Sequence, residues 1–219
     1  KVDLHDIGNY RPVCLLSVVY KLFTRGILNR IDITLEEGQP CGQAVFLKGF
    51  STMDHIHALT RLIDVSRGYK RPRCLTFINL EKPFDSIEIE AVMEALGSQG
   101  TPTQYIKILR ELCNNFTTKI SPFYTDINVD VKRGARQGDT ISLKLFTATL
   151  QNVMRTLEWD NVGVKIDGRQ IHHLRFADDI VLITPDIRQA ERMLADFNKA
   201  CGKIGLRLNL KKTMFMKNG

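Results

Sequence analysis

His173-Leu174-Arg175-Phe176-Ala177-Asp178-Asp179-Ile180-Val181-Leu182-Ile183-Thr184 sets two adjacent aspartates between two apolar runs. The residues up to Phe176 and those from Ile180 to Ile183 read as short strands, which makes a hairpin with the carboxylates at or next to its tip. Neighbouring carboxylates repel, so holding both inside a fold costs free energy unless a cation lies between them. Magnesium takes oxygen ligands, often one or two carboxylates together with substrate phosphates. Strand-Asp-Asp-strand is therefore a candidate catalytic metal site. An ordinary Asp-Asp turn has the same letters, and the choice between the two rests on the remainder of the chain.

The 219 residues suffice for one large domain or two small ones, and 43% hydrophobic with 25% charged residues is a composition that buries a sizeable core. Lys and Arg outnumber Asp and Glu by 31 − 24 = 7, and the pI is near 9.2. That excess suits a phosphate-bearing partner without requiring one. The five cysteines are scattered and odd in number, with no C-x-x-C pair. They read as reduced thiols of an intracellular protein, compartment open, rather than a disulfide framework or a zinc site. No apolar run reaches the ~20 residues of a membrane span, and no signal peptide is visible. The chain starts at Lys1, as an excerpt from a longer reading frame would.

Outward from the hairpin, the periodicity predicts one α+β unit. Leu15, Val18, Val19, Leu22, Phe23, Ile27, Leu28 and Ile31 predict the inner face of a long helix. Residues 39–50 read as loop or irregular strand, and Ser51 to Asp54 offers N-caps for a helix ending at Gly68. Cys74 to Leu80 reads as a strand buried on both faces. Pro83 keeps the exit from that strand out of a regular helix interior. Helices follow over 87–96, stopping at Gly97, and from Thr101-Pro102. Lys119 to Val131 predicts a hairpin, Ser142 to Leu157 an amphipathic helix, and Val162 to His172 a hairpin around Asp167-Gly168. The chain closes with a helix over 190–204 capped by Gly205, then short strands at 206–208 and 214–216. Trp159 reads as packing at a helix end, and Asp64 and Asp186 as surface charges. His55, His57, His172 and His173 lack metal-ligand spacing.

Six segments, in order, carry a resemblance: Asn9-Tyr10-Arg11-Pro12-Val13-Cys14-Leu15-Leu16; Gln43 to Thr52; Phe77-Ile78-Asn79-Leu80-Glu81-Lys82-Pro83-Phe84-Asp85; Arg133-Gly134-Ala135-Arg136-Gln137-Gly138-Asp139; Phe176-Ala177-Asp178-Asp179; and Gly205-Leu206-Arg207-Leu208-Asn209 with Lys211-Lys212-Thr213. Together they resemble the reverse transcriptase domain of non-LTR retrotransposons, the type that joins an endonuclease to a reverse transcriptase. The resemblance implies a right-hand polymerase palm and fingers, with an antiparallel palm sheet backed by helices. It also implies an upstream endonuclease and a downstream thumb, neither of which fits within residues 1–219. The implied activity is RNA-directed DNA synthesis from an RNA template, a DNA primer and deoxynucleoside triphosphates, with Mg²⁺ as cofactor. Two ions ~3.5–4 Å apart would stabilise the attacking and leaving oxygens. The resemblance makes Asp178 and Asp179 metal ligands and Phe84 the ring that blocks a ribose 2′-hydroxyl. It sets Gln137 and Gly138 beside the incoming nucleotide, Lys48 near the triphosphate, and Lys212 near primer or phosphates.

The chain departs from the family at its most consequential position, where Asn79 stands in place of the first palm aspartate. An amide offers an oxygen but no charge, and losing a few kcal/mol of transition-state stabilisation is roughly 10²–10³ in rate. Val45 and Leu47 replace the usual Gly and Arg, Pro83 the usual Ala, and Leu143 the usual Pro. The apolar periodicity survives these changes, so the expectation is a persisting fold with lost or reduced catalysis. The alternative is a non-catalytic domain that binds nucleic acid or a protein partner.

Overall fold

The computed structural model describes residues 13–37, 52–68, 73–114, 116–121, 125–159, 161–166 and 169–218. In chain order these form helices α1 (Val18–Glu37) and α2 (Thr52–Gly68), strand β1 (Arg73–Ile78), and helices α3 (Pro83–Ser86), α4 (Ile89–Ser98) and α5 (Thr103–Cys113). The hairpin β2 (Phe116–Ile120) and β3 (Ile127–Val131), helix α6 (Ser142–Arg155) and the hairpin β4 (Val164–Ile166) and β5 (Arg169–Ile171) follow. Strands β6 (His173–Phe176) and β7 (Asp179–Thr184), helix α7 (Ile187–Gly202) and strand β8 (Met214–Asn218) complete it.

The apolar run of β1 is explained by its position. It lies between β7 and β8 in a four-stranded antiparallel sheet of order β6-β7-β1-β8. Alternate residues divide the sheet into two faces. Ile78, Ile180 and Leu182 join the main core with Leu96 of α4, Phe146 and Leu150 of α6, and Met193 and Phe197 of α7. Leu75 and Ile183 turn the other way and pack with Leu62 of α2 and Val164 of β4.

The predicted inner face of α1 is corrected. Ile27, Leu28 and Ile31 are buried, but Val18, Val19, Leu22 and Phe23 are exposed, from 50% for Phe23 to 77% for Val19. Leu15 lies before the helix, in solvent. The inward stripe is instead Tyr20, Thr24, Ile27, Ile31 and Leu35, because the hydroxyls of Tyr20 and Thr24 both donate to Asp139 and fix the helix rotation. Lys144 of α6, mostly buried, adds ion pairs to Asp32 and Glu36 at 2.7 and 3.1 Å.

Smaller corrections have local causes. Residues 83–86 do form a helical turn, with Pro83 in its first turn, where a missing N–H costs nothing. Helix α4 runs through Gly97 to Ser98. Asp186 is not merely a surface charge: its carboxylate accepts from the Gln189 N–H at 2.8 Å and caps α7, which therefore starts at Ile187 rather than Ala190. The 206–208 segment forms a single bridge, Leu208 to Leu80, rather than a strand. Trp159 is buried just beyond α6, edge-on to His172 and His173. Among the described residues no helix is long and apolar enough to cross a membrane.

Candidate active site

Strands β6 and β7 pair through Phe176 and Asp179, so Ala177 and Asp178 form a two-residue turn. Ala177 has φ 52° and Asp178 has no positive φ, the sign pattern of a type II′ turn. Glycine is usual at such a position, and a side chain there costs roughly 1–2 kcal/mol. The hairpin therefore holds strain at its tip, one residue before Asp178 and two before Asp179. Neither carboxylate has a hydrogen-bond or ion-pair partner among the described residues. Partial burial, and then the neighbouring Asp178 charge, raise the Asp179 carboxyl above its ordinary value.

The pairing runs from Cys74↔Thr184 to Ile78↔Ile180, where β1 ends; one step further along the same register, Asn79 falls opposite Asp179. Opposed residues of an antiparallel pair share a face, with Cβ atoms about 4.5–5.5 Å apart. Asn79 and Asp179 thus end the face that carries Leu75 and Ile183, away from the main core. The Asn79 carbonyl accepts from the Asn209 N–H at 2.8 Å, and the Glu81 N–H donates to the Arg207 carbonyl at 2.8 Å. These bonds bring the 205–213 segment beside the end of β1. Asn79 and Lys212 consequently line one polar cleft of about 850 Å³.

The loop from Arg133 to Asp139 is built differently. The Gly134 N–H donates to the Ile87 carbonyl and the Ala135 N–H to the Phe84 carbonyl, at 2.8 and 2.6 Å. Gly134 has φ +97°, and a Cβ there would sit 2.8 Å from the Asp85 carbonyl oxygen, so no other residue fits without a shift. Gln137 donates to the Asp85 carboxylate at 2.9 Å, and the backbone at Gly138 closes on the Cys14 carbonyl. Phe84 is half-buried against Phe146, with ring centroids 4.6 Å apart. Gln137 and Asp85 line an apolar cavity of about 230 Å³ beneath the loop, and Arg133 borders both this cavity and the Asn79 cleft. Lys48, Val45 and Leu47 lie outside the described residues.

Two residues here were not singled out from sequence. Asp139 is buried and accepts from Tyr20, Thr24 and the Ile141 N–H, so the loop is tied to α1 as well as to α3. Burial and the Asp139 charge push the Tyr20 phenol up. Arg175 is 1% exposed on the helix-packed face of β6, where Nη2 donates to Gln151 of α6 at 2.8 Å. Burial pushes its guanidinium down to about 9. The signal for Arg175 is a cation at an inward position of an otherwise apolar strand; nothing local marks Asp139.

A model of the family described as reverse transcriptase (RNA-dependent DNA polymerase) matches residues 1–219. This chain belongs to the reverse transcriptase family. Similar proteins include the Pol polyproteins of type-1 retrotransposable element R2 from Nasonia vitripennis and Popillia japonica. The first is 26% identical over 94% of this chain and 20% of its own length. The second is 25% identical over 97% of this chain and 30% of its own length. A probable RNA-directed DNA polymerase from transposon BS of Drosophila melanogaster is 26% identical over 94% of this chain. The non-LTR resemblance of the six segments is thus met in whole-chain relatives. The chain spans roughly 20–30% of the length of the R2 relatives it matches. Apo telomerase from Candida tropicalis superposes with a TM-score of 0.68 at 12% identity, covering 92% of this chain and 38% of that one. That likeness concerns the fold: this reverse transcriptase domain shares the mixed helix-and-antiparallel-sheet fold of telomerase polymerases.

The family's divalent metal can be tested against the donors present. Asp178 and Asp179 are hard oxygen donors without a competing partner among the described residues, and Asn79, one step beyond the β1–β7 pairing, offers a neutral amide oxygen. Two carboxylates fit one magnesium ion that also takes substrate phosphates. Among the described residues no group of three or more Asp, Glu, His or Cys side chains could hold a metal.

Proposed function

We propose that this domain comprises the palm and fingers of an RNA-directed DNA polymerase whose catalysis is impaired by Asn79. The observation that supports the proposal is the β1–β7 register, whose continuation one step past Ile78↔Ile180 brings Asn79 opposite Asp179. That is where a third carboxylate would complete a two-ion site for nucleotidyl transfer. Magnesium, when bound, would supply charge stabilisation to the attacking and leaving oxygens. Asp178 and Asp179 hold the ion, and Asn79 contributes an oxygen one charge short. The Phe84 ring, fixed against Phe146, faces the sugar of the incoming nucleotide, and Gln137 and Gly138 form the wall beside it. Lys212, at the cleft shared with Asn79, meets primer or phosphates, and Lys48 meets the triphosphate. Substrates are deoxynucleoside triphosphates and a DNA primer on an RNA template. In the full protein an endonuclease precedes this domain and a thumb follows it.

A second reading has its own support. A formal net charge of +7 and a neutral side chain at Asn79 also suit a domain that binds nucleic acid without copying it.

Primer extension on poly(rA)–oligo(dT) with Mg²⁺ and Mn²⁺ separates the two. The chain and its Asn79→Asp variant are compared, each joined to the thumb of a close relative. Silence from the first and extension by the second support an impaired polymerase. Extension by the chain as it stands ends the claim of impairment. Silence from both, with labelled RNA still bound, favours the binding reading.

A further inference from the structure

We propose that the outward face of α7 is a second nucleic-acid-binding surface, which takes the phosphate backbone of a segment other than the one at the aspartate hairpin. Arg188, Arg192, Lys199 and Lys203 are all exposed. At 3.6 residues per turn they fall within an arc of about 60°, and they span about 22 Å along the helix. The residues that α7 buries, Ala190, Met193, Phe197 and Cys201, occupy the opposite side. None of the four cations has an ion-pair or hydrogen-bond partner among the described residues.

The stripe lies in relief rather than on a flat wall. A cleft of about 790 Å³ joins Arg188 and Arg192 to Lys217 of β8. A second of about 610 Å³ joins Arg192 to Lys199 and Lys203. Arg192 and Gln189 belong to both, so the two run on from one another. The second cleft is also lined by Trp159, whose buried indole N–H has no acceptor among the described residues. Of the acids along this surface, Asp186 is occupied in capping α7, while Asp196 and Glu158 sit in the second cleft. Five cations therefore face three cleft carboxylates, one of them engaged, with Glu191 exposed at the flank of the stripe.

Charge and geometry favour a polyphosphate. One strand of a duplex presents a phosphate every ~3.4 Å of axis, so ~22 Å of helix faces about six phosphates. Helix α7 packs on the sheet face that carries Ile180 and Leu182, whereas Asn79 and Asp179 end the other face. A strand on α7 and a template at the hairpin therefore occupy opposite sides of one sheet. The inference does not depend on Asn79 or on any catalysis.

The test is anisotropy of labelled RNA, single-stranded and duplex, and of a DNA duplex, over a salt series. The chain is compared with an Arg188→Gln/Arg192→Gln/Lys199→Gln/Lys203→Gln variant. A control carries the same charge loss elsewhere: Arg25→Gln/Arg61→Gln/Lys107→Gln/Lys165→Gln. Losing four phosphate contacts should reduce the slope of log K against log[salt] by about 3 on single strands and nearer 4 on duplex. Affinity at 0.1 M salt should fall at least tenfold, with the control near the parent and melting temperatures unchanged. The arm with the larger change in slope identifies the strand form. An equal loss in the control would mean a diffuse field of net charge and overturn the site. An unchanged slope in the α7 variant would do the same. Polyglutamate competing as well as RNA at equal charge would overturn a nucleic-acid ligand in favour of an acidic protein.

Discussion

The loop from Arg133 to Asp139 and the hairpin tip at Asp178 and Asp179 are both polar, yet they are satisfied in opposite ways. Asp139 has three hydrogen-bond donors, Gln137 is spent on Asp85, and Gly134 and Ala135 are bonded to the backbone around α3. At the hairpin two like charges sit side by side on a turn with a positive φ at Ala177, with no partner from the described residues. Polar groups satisfied internally hold a shape. Charged groups left facing solvent without a protein partner are open to an outside ligand. Loop variants should therefore lose stability first and hairpin variants function first.

The largest effect belongs to Asn79. Asn79→Asp should raise primer extension by roughly 10²–10³ while lowering, or leaving level, the melting temperature of the metal-free protein. A gain in both would mean the metal-free face is not crowded with negative charge, and the contrast between loop and hairpin would fail. Next is Gly134→Ala. A Cβ would meet the Asp85 and Phe84 carbonyls at 2.8 and 2.9 Å with φ at +97°, so unfolding free energy should drop by roughly 2–3 kcal/mol in urea titration.

Asp139→Ala leaves the Tyr20 and Thr24 hydroxyls without their acceptor and should cost about 1–3 kcal/mol. It should also let the Tyr20 phenol titrate closer to its ordinary range, readable by ultraviolet absorbance. Asp178→Asn should do the reverse to stability. Removing one of two repelling charges should gain about 0.5 kcal/mol without metal, and should weaken Mn²⁺ binding measured by calorimetry.

The smallest effect is on pH. The Asp179 carboxyl titrates above its ordinary value, so near that value the folded state binds more protons than the unfolded one. Its contribution to stability is complete below the unfolded pKa and is lost as pH rises through the raised folded pKa. Melting of the metal-free chain against pH should show this slope, and Asp179→Asn should flatten it. Mn²⁺ should bind more tightly as the same proton leaves.

Much of the fold is legible from periodicity. The apolar run of Cys74 to Leu80 and the pair of runs around Asp178 and Asp179 are local patterns, and the structure forms a strand and a hairpin there. Helix α1 is the counterexample. Its apolar letters from Val18 to Phe23 predict burial, and hydrogen bonds from Tyr20 and Thr24 to Asp139, more than a hundred residues away in sequence, turn that face outward. The cap at Asp186 was legible in type, as a short acidic side chain before an amphipathic run, and was missed because such residues also populate plain turns.

The sequence by itself determined the family, through six short motifs in order, along with the hairpin, its two carboxylates and the amide at Asn79. These are properties of local letters. The tertiary structure alone decided which side of the sheet each group occupies. It bound Gln137 to Asp85, buried Arg175 against Gln151, and turned the α7 cations away from the hairpin. Strand register and helix rotation are fixed by contacts between residues far apart in the chain, which no local pattern contains.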